Sequence, residues 1–211
     1  MRARLALLLA LLVLLPALPA GAATPYRWTS RSVDSALARR MHYSYRPGCP
    51  VPLRNLRYVT VTYLGFDAEP HTGELVVNAD AVTAVVRAFA RIYGTHLPVH
   101  RMRLADDYRG DDKASMAADN TSAFNCRRVD GSSSWSQHAY GRAVDVNPVE
   151  NPYVHSGTVE PAAGRPYVRR SPYRKGMVTR AVIDGFAAQG WGWGGTFRGT
   201  PDYQHFSRSG T

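Results

Sequence analysis

Cysteine is scarce in this chain, with two among 211 residues. That excludes a multi-disulfide framework and a four-cysteine zinc site. Charged residues are few, at 20%, and aromatics reach 10%. A disordered solvating chain would show the reverse. There is no GxSxG elbow and no phosphate loop, which removes the serine hydrolases built on that turn and the P-loop nucleotide enzymes. No internal repeat, heptad pattern or long charge run occurs. After the N-terminus, no apolar stretch is long enough to span a bilayer, which takes roughly 20 residues. Acidic side chains are outnumbered, 16 Asp and Glu against 26 Lys and Arg, for a formal net charge of +10.

The N-terminus carries the one long apolar run. Arg2 and Arg4 precede Leu5–Leu15, Pro16 and Pro19 break it, and Ala20-Gly21-Ala22 supplies small residues. Charge, apolar run and small-residue site form a secretory signal peptide over residues 1–22, with cleavage expected after Ala22. The remaining residues, 23–211, are expected to form one globular domain. The expected location is secreted and extracellular, associated with the cell wall, and the mature chain has no transmembrane span. Cleavage removes two of the positive charges. The basic remainder favours an anionic cell-wall surface. Nucleic-acid binding would rest on charge alone and is set aside. Secretion also permits a Cys49–Cys126 disulfide, with two free buried thiols as the alternative.

Strand and helix signals alternate along the chain. Val33, Leu37 and Met41 have helical spacing, with Ser32 as a cap. Leu56–Phe66 is rich in β-branched and aromatic residues and predicts a strand, returning at Glu74–Asn78 after a connection over Asp67–Gly73. Val82, Val85, Val86, Phe89 and Ile92 form one helix face, capped by Asp80 and ended by Gly94. Strands are expected over Leu97–Leu104, Thr121–Arg127 and Ala143–Val146. Asp106–Asp119 reads as loop plus a short helix. Asn151–Pro172, with four prolines, reads as a long irregular excursion of the kind that carries function. A second helix face follows in Met177, Val178, Ala181, Val182 and Phe186. The order predicts an α+β fold with a small, mostly antiparallel sheet flanked by helices. Trp191 and Trp193 read equally as core or as cleft residues.

Histidine and carboxylate cluster in two motifs, Ser136-Gln137-His138-Ala139-Tyr140-Gly141-Arg142-Ala143-Val144-Asp145 and Asp202-Tyr203-Gln204-His205-Phe206. Zinc hydrolysis needs three protein ligands, an open position and a nearby base, and these residue types supply them. The remaining histidines, His42, His71, His96, His100 and His155, read as surface or internally satisfied. The Asp106-Asp107 and Asp111-Asp112 pairs lack the spacing of a calcium loop. Glu150 and Glu160 show no specific pairing of the glycosidase kind.

SQHAYGRAVDV resembles the Ser-x-His-x-x-Gly-x-Ala-x-Asp motif of the M15 zinc peptidases, which include D-alanyl-D-alanine carboxypeptidases and L-alanyl-D-glutamate endopeptidases. GWGWGG followed by DYQHF resembles that family's C-terminal motif, and is more similar to its endopeptidase-like branch than to its dipeptidase branch. The resemblance spans about Trp135–Phe206. It implies a hedgehog/DD-peptidase-like zinc domain. It implies His138, Asp145 and His205 as Zn2+ ligands and Asp202 as general base. It implies Ser136 as a substrate-positioning residue, and Arg109 or Arg127 as the arginine that holds a substrate carboxylate or the developing oxyanion. Ser207 stands where the family often has Glu or Gln. The implied substrate is a peptidoglycan stem peptide, cut by a carboxypeptidase or an endopeptidase. The alternative is a non-catalytic zinc-containing cell-wall-binding module, which would have no need of Asp202.

Overall fold

The structure, a computed structural model, describes residues 24–210. The expected signal peptide lies outside the described residues. Among those described, no helix is long and apolar enough to cross a membrane.

The chain opens with β1 (Trp28–Ser32) and α1 (Ser35–Arg40). A long hairpin follows, β2 (Leu56–Leu64) and β3 (Pro70–Asn78), then α2 (Val82–Gly94) and β4 (Arg101–Met102). Next come α3 (Asp112–Ala117), β5 (Asn120–Thr121), β6 (Ala143–Asp145), β7 (Tyr153–His155) and β8 (Thr158–Glu160). The last elements are α4 (Arg180–Ala187), β9 (Gly192–Trp193) and β10 (His205–Ser207). One sheet has the order β1-β2-β3 and another β6-β10-β9, both antiparallel. β4 and β5 pair in parallel, and β7 and β8 form a hairpin. This is the α+β architecture expected from the sequence.

β2 and β3 bury side chains on both faces of the first sheet, β1 being exposed, and strand alternation sorts their residues between two cores. Val59, Val61 and Tyr63 of β2, with Leu75 and Val77 of β3, face α2 and α4. There they meet Val85, Phe89 and Ile92, one face of α2, and Phe186 of α4. Leu56 and Val76 point the other way, into a second cluster with Leu37, Met41, Phe124 and Cys126. A disulfide joins Cys49 to Cys126 across 77 positions on the edge of that cluster.

Several local expectations are corrected. Asp34, not Ser32, caps α1, through a 2.8 Å hydrogen bond from the Leu37 amide, because Ser32 is occupied in β1. Asp80 does not cap α2. Its carboxylate is held by Arg142 and Arg208, each at 2.7 Å, and Asn78 caps the preceding turn. β3 begins at Pro70 and is longer than expected, while Leu97–Leu104 and Thr121–Arg127 each contribute only two-residue strand segments, in or just before them. The excursion over 151–172 contains the β7–β8 hairpin and a 3-10 segment at Ala162–Tyr167. Trp191 is 4% exposed in the first core, and Trp193 packs against it while donating its indole N–H to the Tyr203 carbonyl at 2.9 Å. Both tryptophans therefore belong to the packing behind the site.

Candidate metal centre and its cleft

Antiparallel pairing of β6 and β10 sets Asp145 directly opposite His205. Directly opposed residues have Cβ atoms about 5 Å apart, so their polar atoms meet on one face. The neighbouring pair, Val144 and Phe206, points to the opposite face and is fully buried. Phe206 stacks on Phe186 with ring centroids 4.0 Å apart. One apolar pair thus fixes the register that brings one polar pair together.

His138 arrives from a different direction. It lies in a 3-10 turn, Gln137–Tyr140, and the Ser136 hydroxyl accepts from the His138 amide at 3.3 Å to cap it. Gly141 ends the turn with φ +65°, and a Cβ there would lie 2.6 Å from the Asn78 amide nitrogen. That approach is used: the Asn78 amide donates to the Gly141 carbonyl at 2.8 Å, docking the turn on the end of β3. Only glycine meets both the left-handed conformation and the contact.

The three side chains converge. His138 Nε2 lies 3.2 Å from Asp145 Oδ2 and 3.3 Å from His205 Nδ1, and His205 Nδ1 lies 3.0 Å from Asp145 Oδ1. One ligand atom from each falls within 4.8 Å of the others, and all three residues are buried. His138 Nδ1 faces the Ala123 carbonyl at 2.5 Å. Donation of its proton there leaves the Nε2 lone pair directed at the cluster, the usual outer support of a metal-binding imidazole. Two imidazole nitrogens and a carboxylate are a suitable zinc ligand set with room for a fourth partner. The residues present therefore fit the ion.

Charges around the cluster are mutually dependent. Burial would raise the Asp145 carboxyl, but His138 and His205 hold it well below the usual carboxylate range. Burial would make His205 less basic, but its hydrogen bond to Asp145 and the charges of Asp145 and Asp202 raise it. Asp202 is pushed up to about 7, chiefly by burial and also by Asp145, against the lowering effect of His205 and His138. Its Oδ1 is buried without a hydrogen-bond partner.

Asp202 is positioned through its backbone. Its amide donates to the Gly194 carbonyl at 3.0 Å, and a Cβ on Gly194 would lie 2.7 Å from the Asp202 carbonyl oxygen. Tyr153 of β7 bridges to Asp202, and the Val154 amide donates to the Pro201 carbonyl at 2.8 Å. The 151–172 segment is thus stitched to the segment that carries Asp202.

These groups line an open cleft of about 400 Å³. His138, Asp145, Asp202, His205 and Ser136 all border it. Arg127 borders it too, with its guanidinium 2.7 Å from Asp112 and its Nε without a partner. Arg109 does not border it: it is exposed at the left-handed end of the Ala105–Tyr108 turn, with φ +56°. Burial raises the Asp112 carboxyl, while Arg127 pulls the other way. Sequence reasoning missed Tyr153, Glu160 and Gln204 as cleft residues. The first two stand in a proline-rich stretch with no chemical motif. Gln204 was in plain view between Asp202 and His205, but an amide carries no metal or acid-base signal.

A carboxylate and two imidazoles that could hold a metal ion thus lie in one cleft with a buried carboxyl group that has an unpartnered oxygen. Residues 130–208 match the family model described as D-alanyl-D-alanine carboxypeptidase, which supports an M15 family peptidase. That segment contains the three candidate ligands and Asp202, and begins three positions after Arg127. No curated protein and no solved structure matches the chain.

Proposed function

We propose that this protein is a secreted zinc peptidase that hydrolyses an amide bond in peptidoglycan stem peptides. The observation that carries the reading is the convergence of His138, Asp145 and His205 beside Asp202, whose Oδ1 has no partner, in an open cleft. The family match supplies the peptidoglycan substrate class.

When bound, zinc supplies Lewis-acid polarisation of the scissile carbonyl and acidification of the attacking water. His138 and His205 would hold the ion through ring nitrogens, and Asp145 through carboxylate oxygen. Asp202 takes the proton of the attacking water and returns it to the leaving amine. Asp202 lines the same cleft as the three candidate ligands, and its Oδ1 has no hydrogen-bond partner, so that oxygen is free to accept the proton. Arg127 holds a substrate carboxylate or the oxyanion, with Asp112 fixing its guanidinium. Ser136 contributes by capping the His138 turn.

The test is mass spectrometry of purified peptidoglycan after digestion by the zinc-loaded protein, with a chelated control. Chelator-sensitive fragments are expected. Their masses distinguish release of a terminal D-alanine from release of a stem peptide. No fragments from a folded, zinc-loaded protein would contradict the reading and favour a wall-binding module.

A further inference from the structure

The chain is strongly basic, with a formal net charge of +10. Its cleft has the opposite sign. Five carboxylates line it, those of Asp112, Asp130, Asp145, Glu160 and Asp202, against one guanidinium, that of Arg127. Three of the five are accounted for: Asp145 faces the imidazoles, Asp202 serves as base, and Asp112 pairs with Arg127. Asp130 and Glu160 remain. They come from different parts of the chain, the loop before Trp135 and the end of β8.

One ammonium group already stands between them. Lys113 Nζ lies 3.8 Å from Asp130 Oδ2 and 3.6 Å from Glu160 Oε1. Both separations are long for charge-assisted hydrogen bonds, which run to about 2.9 Å. The Lys113 side chain is 65% exposed, so leaving the pair costs it little. Two carboxylates sharing one loosely held ammonium, Asp130 79% and Glu160 33% exposed, keep a net negative charge within reach of a ligand entering the cleft.

An independent observation lies deeper in the same cleft. Gln204 is 1% exposed, lines the cleft, and has an Oε1 without a hydrogen-bond partner. Burying an unpaired amide oxygen is unfavourable, and a ligand N–H removes that cost. The Gln204 Nε2 is engaged by Met116 Sδ at 3.4 Å. Met116 belongs to α3, the helix that carries Asp112 and Lys113 and packs against β8.

We infer that the wall formed by α3, β8 and Asp130 is a subsite for an amine-bearing residue of the substrate. The substrate ammonium replaces that of Lys113 between Asp130 and Glu160, and a substrate N–H donates to Gln204 Oε1. The ligand class is a peptide with a diamino-acid side chain, and the inference rests on the peptidase reading above. Lys113 then acts as an internal competitor that occupies the subsite when substrate is absent.

The experiment compares one peptidoglycan preparation with free amines and the same preparation acetylated at those amines. Release of new termini by the zinc-loaded enzyme is followed over a range of substrate concentrations. The free-amine form is expected to be cut roughly tenfold more efficiently, the equivalent of about 1.4 kcal/mol, with the difference in KM. Glu160→Gln should bring that ratio toward one. Lys113→Met should raise it, a change of opposite sign that damage to the fold would not produce. Equal cutting of both forms by an active enzyme, or a ratio unmoved by both substitutions, overturns the subsite and leaves the peptidase reading standing. Cutting of neither form overturns both.

Discussion

Loss of the Cys49–Cys126 bridge should destabilise this protein by an amount that its position allows to be worked out. The bridge closes a loop of 77 positions. Closing a loop of that length removes denatured-chain entropy worth about 4 kcal/mol. The two sulfurs differ in surroundings. Cys126 is 1% exposed beside Leu56, Val76 and Phe124, whereas Cys49 is only partly buried. Cys49→Ala therefore reads mainly the entropic contribution, and Cys126→Ala adds roughly 1 kcal/mol for lost packing. For a protein of this size each kcal/mol moves the melting temperature by about 2–4 °C, so the Cys49→Ala shift should be on the order of 10 °C. Urea unfolding of oxidised, reduced and Cys49→Ala protein checks this. The reduced protein and Cys49→Ala should unfold together, well below the oxidised form. The bridge also braces the site: Cys126 immediately precedes Arg127, and the Asn125 amide donates to the His138 carbonyl at 3.3 Å. Coincident midpoints for oxidised and reduced protein would refute the reasoning.

Phe206→Ala should cost about 3–5 kcal/mol, because a fully buried ring stacked on Phe186 is deleted, and urea unfolding reads the loss. Gly141→Ala should cost roughly 2 kcal/mol from its positive φ, more where the added methyl meets the Asn78 amide, and should weaken zinc uptake measured by competitive chelation. Burial and the neighbouring Asp119 push the Glu150 carboxyl up to about 8, from an ordinary 4.5. Between those values the folded state holds the proton more tightly than the unfolded state, so this group's contribution to stability declines as pH rises from about 4.5 to 8. Glu150→Gln should flatten that decline, which melting temperatures at pH 5 and pH 9 would show, and parallel curves for the two proteins would count against it.

Long apolar patterns made the larger elements readable. Val85, Val86, Phe89 and Ile92 mark α2, and the β-branched run of β2 marks the central strand of its sheet. Shorter pieces were hidden for physical reasons. β1 is exposed along its whole length and reads WTSRS, so it carries no hydrophobic alternation to betray it. β4, β5 and β9 have two residues each, too few for any period. The β7–β8 hairpin sits among prolines and draws its partners, Pro201 and Asp202, from a segment 47 and 49 positions beyond Val154 and Tyr153. At the site, the two motifs and the family resemblance they carry pointed to His138, Asp145, Asp202 and His205, and the fold brings these four to one cleft. The choice between Arg109 and Arg127 needed the fold, since both follow acidic or apolar stretches and only Arg127 faces the cleft. Asp130, Glu160 and Lys113 come together through packing of α3 on β8, which no local motif records.

The most direct test of the central claim is a paired measurement of zinc content and peptidoglycan turnover in the wild-type protein, Asp202→Asn and His205→Ala. His205→Ala should lose the metal on dialysis and lose turnover with it. Asp202→Asn should keep one zinc per chain and still lose turnover by roughly 10²–10⁴-fold, the usual contribution of a general base. Full turnover in Asp202→Asn, or zinc retained by His205→Ala at wild-type affinity, would contradict the account.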